Sequence, residues 1–302
     1  MTRATPPVNM AHSVHDRLLK LAKQRGRTFN ELLQYYAMER FLYRLANSPA
    51  GRRFVLKGAL LLTACANAPY RSTRDIDLLG QGETSETSVR DMMQAACRQK
   101  VPDDGLRFDP SSVDTEHIRK DTDYVGVRVQ FAGHLGNARI AMQVDVGFGD
   151  AITPVPRMIE YPVLLDFPAP RLRAYHLETA MAEKLHAMFA LGELNSRMKD
   201  FYDGWMLSQH AGLDRKRLHA AIRDTFNRRK MAVPAHPVCF TPSFAASRQS
   251  AWRAFLRKLG ATDVPENLAT VTHDIDTFVA PILTERRLVE RINEKLDQMS
   301  GK

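Results

Sequence analysis

"RFVLKGALLLTACANAPYRSTRDIDLLG", residues 53–80, is the stretch that decides the fold. "RFVL" predicts a short strand, "KG" a turn, and the largely apolar "ALLLTACAN" a helix. "APYRS" has the composition of a loop, and "TRDIDLLG" reads as a second strand. The stretch therefore predicts a strand, a helix and a second strand that fold as one unit.

The second strand carries two carboxylates on one face. Side chains alternate along a strand, so Asp75 and Asp77 point to one side and Ile76 and Leu78 to the other. Two carboxylates this close stay ionised together only when positive charge lies between them. Mg²⁺ supplies such charge and is commonly held by one or two carboxylates plus substrate phosphates. D-x-D also occurs in turns and on exposed edge strands, so the pattern alone leaves both interpretations open.

The turn before the helix predicts a phosphate site. Gly58 stands where the helix begins, 17 residues before Asp75. Backbone N–H groups and the helix dipole at this point face an anion, and glycine allows the close backbone approach that this needs. Lys57 is either a phosphate contact or a solvated side chain.

A third carboxylate lies on a later strand, "RIAMQVDVGF", residues 139–148. Its apolar residues share one face, and Asp145 shares the other with Gln143 and Gly147. Three carboxylates on neighbouring strands can bind two metal ions, which activate an attacking oxygen and stabilise a leaving oxygen in phosphoryl or nucleotidyl transfer. We therefore predict Asp75, Asp77 and Asp145 as ligands of one or two Mg²⁺ ions.

The order of elements predicts an α+β protein. Residues 11–47 read as two helices, the first with Ser13 as N-cap, and "YVGVRVQF" (124–131) forms a hairpin with the strand at 139–148. The predicted regions are a helical N-terminal lead-in (1–50), a catalytic core with a mixed sheet (51–150), a proline-rich linker (151–174) and a helical C-terminal domain (175–302).

The helical C-terminal half has its own charged group. "LETAMAEKLHAMFAL" places Lys184 at the margin of an apolar face, and "RMKDFYDGWML" carries Asp200 and Asp203 one helical turn apart. Solvated surface ion pairs explain these residues from composition alone. The sharper hypothesis is a lysine near nucleotide phosphates, with Asp200 orienting it, because a buried acid and a buried lysine each need a partner.

Composition and charge narrow the class of protein. The formal charge of +9 favours a polyanionic partner such as nucleic acid. The three cysteines form neither a disulfide framework nor a C-x-x-C motif, which is typical of reduced thiols in a cytosol. The longest apolar stretch is far shorter than the roughly 20 residues that span a bilayer, and no signal peptide is evident. We expect a cytoplasmic protein with no membrane partner.

These motifs together resemble the AbiEii/AbiGii nucleotidyltransferase toxins. The similarity runs through "RRFVLKGALLLTACANAPYRSTRDIDLLG", "MQVDVGFGD" and "YHLETAMAEKLHAMFALGELNSRMKDFYDGWML". Several separated motifs in the right order are far more specific than any one of them. The resemblance covers residues 10 to 210 and implies a DNA polymerase β-like nucleotidyltransferase fold, with a mixed sheet and a helical C-terminal part.

The resemblance also implies roles for individual residues. Asp75 and Asp77 match the metal-binding D-x-D, and Asp145 falls where the superfamily places its third carboxylate. The nucleotide-binding positions of the family correspond to Lys57, Gly58, Thr73 and Lys184, and Asp200 corresponds to the acid of the last motif. Many superfamily members have Gly-Ser or Gly-Gly at the phosphate turn, whereas Ala59 follows the glycine here, which leaves phosphate binding to backbone amides.

By resemblance, the expected function is that of a Mg²⁺-dependent toxin of an abortive-infection toxin–antitoxin pair. It would transfer nucleotides from an NTP to an RNA acceptor, the 3′ end of tRNA, and its partner would be a cognate antitoxin encoded next to it. Two alternatives stay open. One is the same chemistry on a small-molecule acceptor, as in antibiotic-modifying nucleotidyltransferases, and the other is a catalytically weak RNA- or partner-binding module with this fold.

Overall fold

The computed structural model describes residues 9–66, 71–82, 85–121, 124–210, 212–234, 236–261 and 263–283. These residues form two compact units. The first lies within Met1–Gly149 and Arg157–Ala174, and the second within Asp150–Pro156 and Tyr175–Lys302. The first unit contains a seven-stranded mixed sheet, and the second unit is helical, which confirms the predicted α+β class.

Two helices, α1 (Met10–Arg25) and α2 (Phe29–Asn47), begin the first unit. The Asn9 side chain accepts a hydrogen bond from the N–H of His12, so Asn9 is the N-cap of α1 and the prediction of Ser13 is wrong. The helix starts four residues earlier because Asn9 is an equally good cap and the intervening residues do not break a helix. Thr28 caps α2 by accepting from the N–H of Glu31.

The sheet contains β1 (Phe54–Lys57), β2 (Asp75–Gly80), β3 (Leu106–Asp121), β4 (Tyr124–Leu135), β5 (Ala138–Phe148), β6 (Arg157–Glu160) and β7 (Arg171–Ala174). The strand order is β3-β4-β5-β2-β1-β7-β6. β2 pairs with β5, and β1 with β7, in parallel, while the other pairs are antiparallel. The strand that carries the D-x-D is therefore central, and Asp75 and Asp77 do not lie on an exposed edge.

Two further helices of the first unit, α3 and α4, come after β1 and β2 in the chain. α3 (Gly58–Ala66) follows β1 directly and packs against β1 and β2. α4 (Glu86–Arg98) buries Val89, Met93 and Ala96 and packs against β3 and α2. The alternate residues Ile76, Val144 and Val146 are fully buried, so one face of the sheet belongs to the core and the other is left for polar side chains.

Two regions differ from the sequence-based expectation. β3 has no counterpart in the prediction, because it contains Pro110, carries many polar residues and has a register shift between Asp109 and Asp114. The proline-rich stretch 151–174, predicted as a linker, instead contributes β6 and β7 to the sheet. Its five prolines lie before β6 or between β6 and β7, where they interrupt no ladder hydrogen bonds.

The second unit contains α5 (Leu177–Leu191), α6 (Met198–Ser208), α7 (Arg215–Arg228), α8 (Pro242–Leu259) and α9 (Leu268–Leu283). α5 packs against α6 and α7, and α9 packs against α6 and α8. The helix that the sequence predicts over 284–299 lies outside the described residues. Within the described part of the chain, every helix is too short or too polar to cross a membrane.

Candidate functional site

A row of charged residues crosses five strands of the first unit at one register. Asp77 of β2 pairs with Lys57 of β1 on one side and with Asp145 of β5 on the other. Asp145 in turn pairs with Arg128 of β4, which pairs with Glu116 of β3. Residues paired directly across neighbouring strands share a face, so these five side chains lie on the polar face of the sheet. The structure thus brings Asp77 and Asp145 side by side, as predicted from their strands.

Gly58 and Asp77 are in close contact where α3 begins. The φ angle of Gly58 is 68°, a left-handed conformation that residues with a Cβ rarely adopt. A Cβ added there would overlap the Asp77 carboxylate and lie 2.7 Å from its Cβ and Cγ. Glycine is therefore required twice over, for the backbone turn and for the space that the Asp77 side chain occupies. The D-x-D is held against the first residue of a helix, as the predicted phosphate turn requires.

Arg128 holds Asp145 by two hydrogen bonds. Its Nε donates to Asp145 Oδ1 at 2.9 Å and its Nη2 donates to Oδ2 at 3.0 Å. Gln143 Nε2 also donates to Oδ1, at 3.3 Å. The Asp145 side chain is only 7% exposed, so the ion pair compensates the negative charge of a carboxylate that is largely removed from water. Asp145, the predicted third metal ligand, is thus ion-paired with Arg128 on the neighbouring strand.

The charges around Arg128 favour its ionised form. The hydrogen bonds to Asp145 raise the pKa of the guanidinium above its ordinary value, and burial opposes this. The negative charges of Asp145, Glu116 and Asp75 act in the same direction as the hydrogen bonds. Lys57 stands at the other end of the row and is 8% exposed. Positive side chains therefore flank the carboxylates, and their charge offsets part of the repulsion between Asp75 and Asp77 on one strand face.

Thr73 fixes the backbone at the entrance to β2. Its hydroxyl accepts from the N–H of Asp75 and lies 3.3 Å from the carbonyl oxygen of the same residue. The N–H of Thr73 donates to the hydroxyl of Tyr35, which donates to the carbonyl of Arg71. Thr73 thus positions Asp75 through the backbone, and Tyr35 of α2 joins the loop to the rest of the first unit.

The residues present fit a divalent cation at Asp75 and Asp77. Both carboxylates are partly exposed, lie on one strand face and offer the hard oxygen ligands that Mg²⁺ prefers. Among the residues that the structure describes, no three acidic, histidine or cysteine side chains are grouped to share a metal ion. Because Asp145 is bound to Arg128, two carboxylates and the phosphates of a substrate are the donor set that this arrangement offers.

The second unit has a separate cluster around Lys184. Its Nζ lies 2.7 Å from Asp200 Oδ1 and 2.9 Å from Asp203 Oδ2, which joins α5 to α6. The side chains of Asp200 and Asp203 are 5% and 0% exposed, so these ion pairs are not solvated surface contacts. Asp200 and Lys184 are thus ion-paired, and the hypothesis that Asp200 orients the lysine toward a nucleotide stays a prediction.

A second polar network lies beside this cluster on α5. Arg229 contacts Asp150 Oδ1 at 3.0 Å, Glu183 Oε1 at 3.7 Å and the His186 Nδ1 at 3.1 Å. An arginine can only donate, so the neutral imidazole accepts at Nδ1. Burial lowers the pKa of His186 to about 4, and the charge of Arg229 acts in the same direction. The hydroxyl of Tyr175 lies 3.3 Å from Glu183. The network therefore holds the side chain of Glu183, the residue that precedes Lys184 on α5.

Two features of these clusters are not predicted from the sequence, the pairing of Arg128 with Asp145 and the burial of Asp203. Arg128 lies on a well-patterned strand, but nothing local to "YVGVRVQF" shows that it pairs with Asp145, which is 17 residues away along the chain. The spacing of Asp203 from Asp200 does predict that both side chains lie on one helix face. The complete burial of Asp203 is what the sequence did not indicate.

Comparisons with known proteins agree with this architecture. The family described as "Nucleotidyl transferase AbiEii toxin, Type IV TA system" matches residues 40–281. The fold is similar to that of JHP933 from Helicobacter pylori, with 15% sequence identity, a TM-score of 0.50, and 90% of this chain and 99% of that chain covered. A second H. pylori structure, described as a candidate nucleotidyltransferase, has 17% identity and a TM-score of 0.48 over 86% of this chain and 97% of that chain. No curated protein matches the chain.

Proposed function

Since the chain belongs to the AbiEii nucleotidyl transferase toxin family of type IV toxin–antitoxin systems, we propose that it transfers nucleotides from an NTP to the 3′ end of tRNA. The reaction would depend on Mg²⁺ and take place in the cytoplasm. Its effect on the cell would be abortive infection, restrained by a cognate antitoxin encoded next to the toxin.

One observation carries the proposal: Asp75 and Asp77 lie on one face of a central strand, and Asp77 is packed against Gly58 where α3 begins. Carboxylates supply the metal ligands, and the backbone N–H groups at a helix start attract the phosphates of an NTP. A solvated D-x-D on an edge strand would need neither the left-handed glycine nor the central position. The proximity of both features supports a nucleotide site over a structural pair of acids.

Each side chain has a proposed part in the reaction. Asp75 and Asp77 would hold Mg²⁺, which when bound would neutralise charge on the NTP phosphates. Gly58 would admit the phosphates to the backbone amides of α3, and Lys57 would supply a positive charge beside them. Thr73 would keep Asp75 in place.

Asp145, predicted as a third ligand, would serve in its ion pair with Arg128 as a positioning residue in the row that contains Asp77. Direct contact with a metal ion, or help in deprotonating the acceptor hydroxyl, would compete with the hydrogen bonds from Arg128. Lys184 would bind nucleotide phosphate, and Asp200 and Asp203 would orient its ammonium group.

The direct test incubates the purified protein with Mg²⁺, each of the four α-³²P-labelled NTPs in turn, and total tRNA. The control variant carries Asp75→Ala and Asp77→Ala. We expect label on tRNA with one or more NTPs for the wild type, at least a thousandfold less for the variant, and none when EDTA removes the metal. The NTP that gives label identifies the transferred base.

The two alternatives give different results in the same assay. Label that reaches an aminoglycoside or another small hydroxyl compound, but not tRNA, would assign the small-molecule activity. No transfer to any acceptor, with toxicity in cells that Asp75→Ala leaves unchanged, would assign a binding module and contradict the proposed reaction.

A further inference from the structure

The net positive charge of the protein is concentrated in one segment of the second unit. The chain has 43 basic and 34 acidic residues. Residues 214–258, which contain α7 and α8, carry 11 of the basic and 2 of the acidic residues, so 32 of each remain elsewhere. The whole net charge of +9 therefore resides in a stretch of 45 residues, while the rest of the chain is balanced.

The cations at the start of α7 are exposed, and the favourable charge interaction of Lys216 and Arg217 with the N-cap residue Asp214 does not account for all three. Arg215, Lys216 and Arg217 occupy the first turn, are exposed and form no ion pair with another described residue. Positive charge is disfavoured at a helix N-terminus, where the dipole is itself positive. Three consecutive basic residues in such a place cost the folded state some stability, and such local conflicts are expected at functional sites.

The last two turns of α8 also carry exposed basic residues, and the helix dipole favours positive charge at this end. Arg253, Arg257 and Lys258 are exposed, and none of them forms an ion pair within the described part of the chain. Other basic residues of the segment differ, because Arg223 pairs with Asp224, and Arg248 donates to the backbone carbonyls of Glu193 and Asn195. The segment thus contains cations that bond to other groups of the fold and exposed cations that form no ion pair with a described residue.

A shallow pocket of about 390 Å³ adjoins the first turn of α7. Arg215 lines it together with Gln209, His210 and Phe278. The pocket combines a half-exposed aromatic ring, amide and imidazole groups that bond base edges, and a guanidinium that contacts phosphate or stacks on a base. These are the groups with which proteins bind unpaired nucleotides of RNA.

From the charge distribution and the pocket we infer that the start of α7 is the docking surface for the RNA acceptor. The basic residues of the first turn contact its phosphates, and the pocket takes an unpaired base that stacks on Phe278. The basic residues at the end of α8 add a sequence-independent attraction. This inference rests on the proposed function for the identity of the polyanion as RNA, and it concerns a surface made only of residues from the second unit.

The test measures binding of the full-length protein to fluorescein-labelled total tRNA by anisotropy, without NTP, over a series of KCl concentrations. The test variant is Arg215→Gln/Lys216→Gln/Arg217→Gln. The matched control is Lys20→Gln/Lys23→Gln/Arg25→Gln, which removes the same charge from exposed positions of α1. Loss of three phosphate contacts should weaken binding about tenfold to a hundredfold near 0.1 M salt and reduce the slope of log K against log salt by about 2 to 3. The control should bind as the wild type does.

A second variant tests the pocket. Phe278→Leu keeps an apolar side chain but removes the stacking surface, so it should weaken binding of a short single-stranded RNA by about fivefold or more and leave a blunt RNA duplex unaffected. Equal loss for both RNAs would overturn the assignment of the pocket to an unpaired base.

Binding without NTP separates this inference from the proposed reaction. A wild type that binds tRNA through α7 but labels nothing keeps the surface and overturns the reaction. Wild-type affinity of the α7 variant, or an equal loss in the α1 control, overturns the surface whatever the transfer assay shows. In that case the cations of α7 would belong to an acidic protein partner.

Discussion

Lys184 links two buried carboxylates, so its removal tests whether it serves stability, catalysis or both. Lys184→Met removes the lysine from its ion pairs with Asp200 and Asp203, and breaking a buried ion pair costs about 3–5 kcal/mol. We expect the free energy of unfolding to fall by about that amount and transfer to be lost. Denaturant unfolding and the tRNA-labelling assay measure the two effects.

A triple variant distinguishes the two roles of Lys184. Lys184→Met combined with Asp200→Asn and Asp203→Asn removes the buried charges together, so stability should largely return. If Lys184 binds nucleotide phosphate, transfer stays lost in this stable protein. Recovery of transfer by the triple variant would show that the lysine serves only the fold.

The residues of the site differ in how far the sequence could predict them. The positions of Asp75 and Asp77 on one strand face, and of Gly58 at the start of a helix, were predictable because their signals are local, a strand period of two and a turn before a helix. The partnership of Asp145 with Arg128 was not, because it depends on which strands pair and in which register. Burial of Asp203 likewise depends on the packing of α6 against α5, which helix periodicity alone does not specify.

Among the elements, the junction between β1 and α3 depends most strongly on a single residue, Gly58. Gly58→Ala requires a left-handed alanine and also forces the Asp77 carboxylate to move. We expect the free energy of unfolding to fall by roughly 2 kcal/mol or more and transfer to fall by at least a hundredfold. Both follow from the same displacement of Asp77.

Gly26 offers a matched control for the Gly58 substitution. Gly26 has a φ of 63°, and a Cβ there would meet nothing within 4 Å. Gly26→Ala therefore costs only the left-handed conformation, roughly 1 kcal/mol, and should leave transfer intact. Equal effects of the two substitutions would show that the contact with Asp77 contributes nothing.

The pairing of β4 with β5 places Arg128 where it can orient Asp145, and Arg128→Gln tests that role. The substitution removes the bidentate hydrogen bonds from a carboxylate that is 7% exposed, which should cost about 1–3 kcal/mol of stability. Misplacement of Asp145 beside Asp77 should lower kcat on the order of tenfold to a hundredfold with little change in KM.

Glu116→Gln is the control for Arg128→Gln, because Glu116 is 61% exposed and lies 3.7 Å from Arg128, so its removal should change neither quantity measurably. Unchanged or increased transfer by Arg128→Gln would contradict the positioning role. It would indicate instead that Asp145 acts once Arg128 no longer holds it.

The strands themselves show where pattern-based prediction succeeds and fails. β4 and β5 alternate clearly and were predicted, with ends displaced by at most four residues. β3, β6 and β7 were not, because β3 is interrupted by a bulge and the other two are only four residues long and separated by prolines. Short strands at the side of a sheet gain their stability from pairing with a neighbour, and that contribution leaves little trace in their own sequence.

At the scale of the whole molecule, the two units carry buried ionisable groups whose effects on stability have opposite signs. Glu39 belongs to the first unit, where burial raises its pKa to about 7. His186 belongs to the second unit, where burial lowers its pKa to about 4. Between pH 7.5 and 5, Glu39 binds a proton in the folded protein but not in the unfolded chain. His186 binds a proton in the unfolded chain but not in the folded protein. Acidification over this range should therefore stabilise the first unit and destabilise the second, each by about 2 kcal/mol.

Denaturant unfolding can resolve these opposite shifts, because the two tryptophans of the chain, Trp205 and Trp252, both lie in the second unit. Tryptophan fluorescence follows the second unit alone, and far-UV circular dichroism follows both. At pH 5 the fluorescence midpoint should move to lower denaturant than at pH 7.5, and the circular dichroism transition of the first unit should move to higher denaturant. His186→Gln should abolish the fluorescence shift, and Glu39→Gln should abolish the shift of the first unit. The same separation of the two midpoints at pH 5 and at pH 7.5 would contradict the prediction, because opposite proton linkage in two units must change that separation.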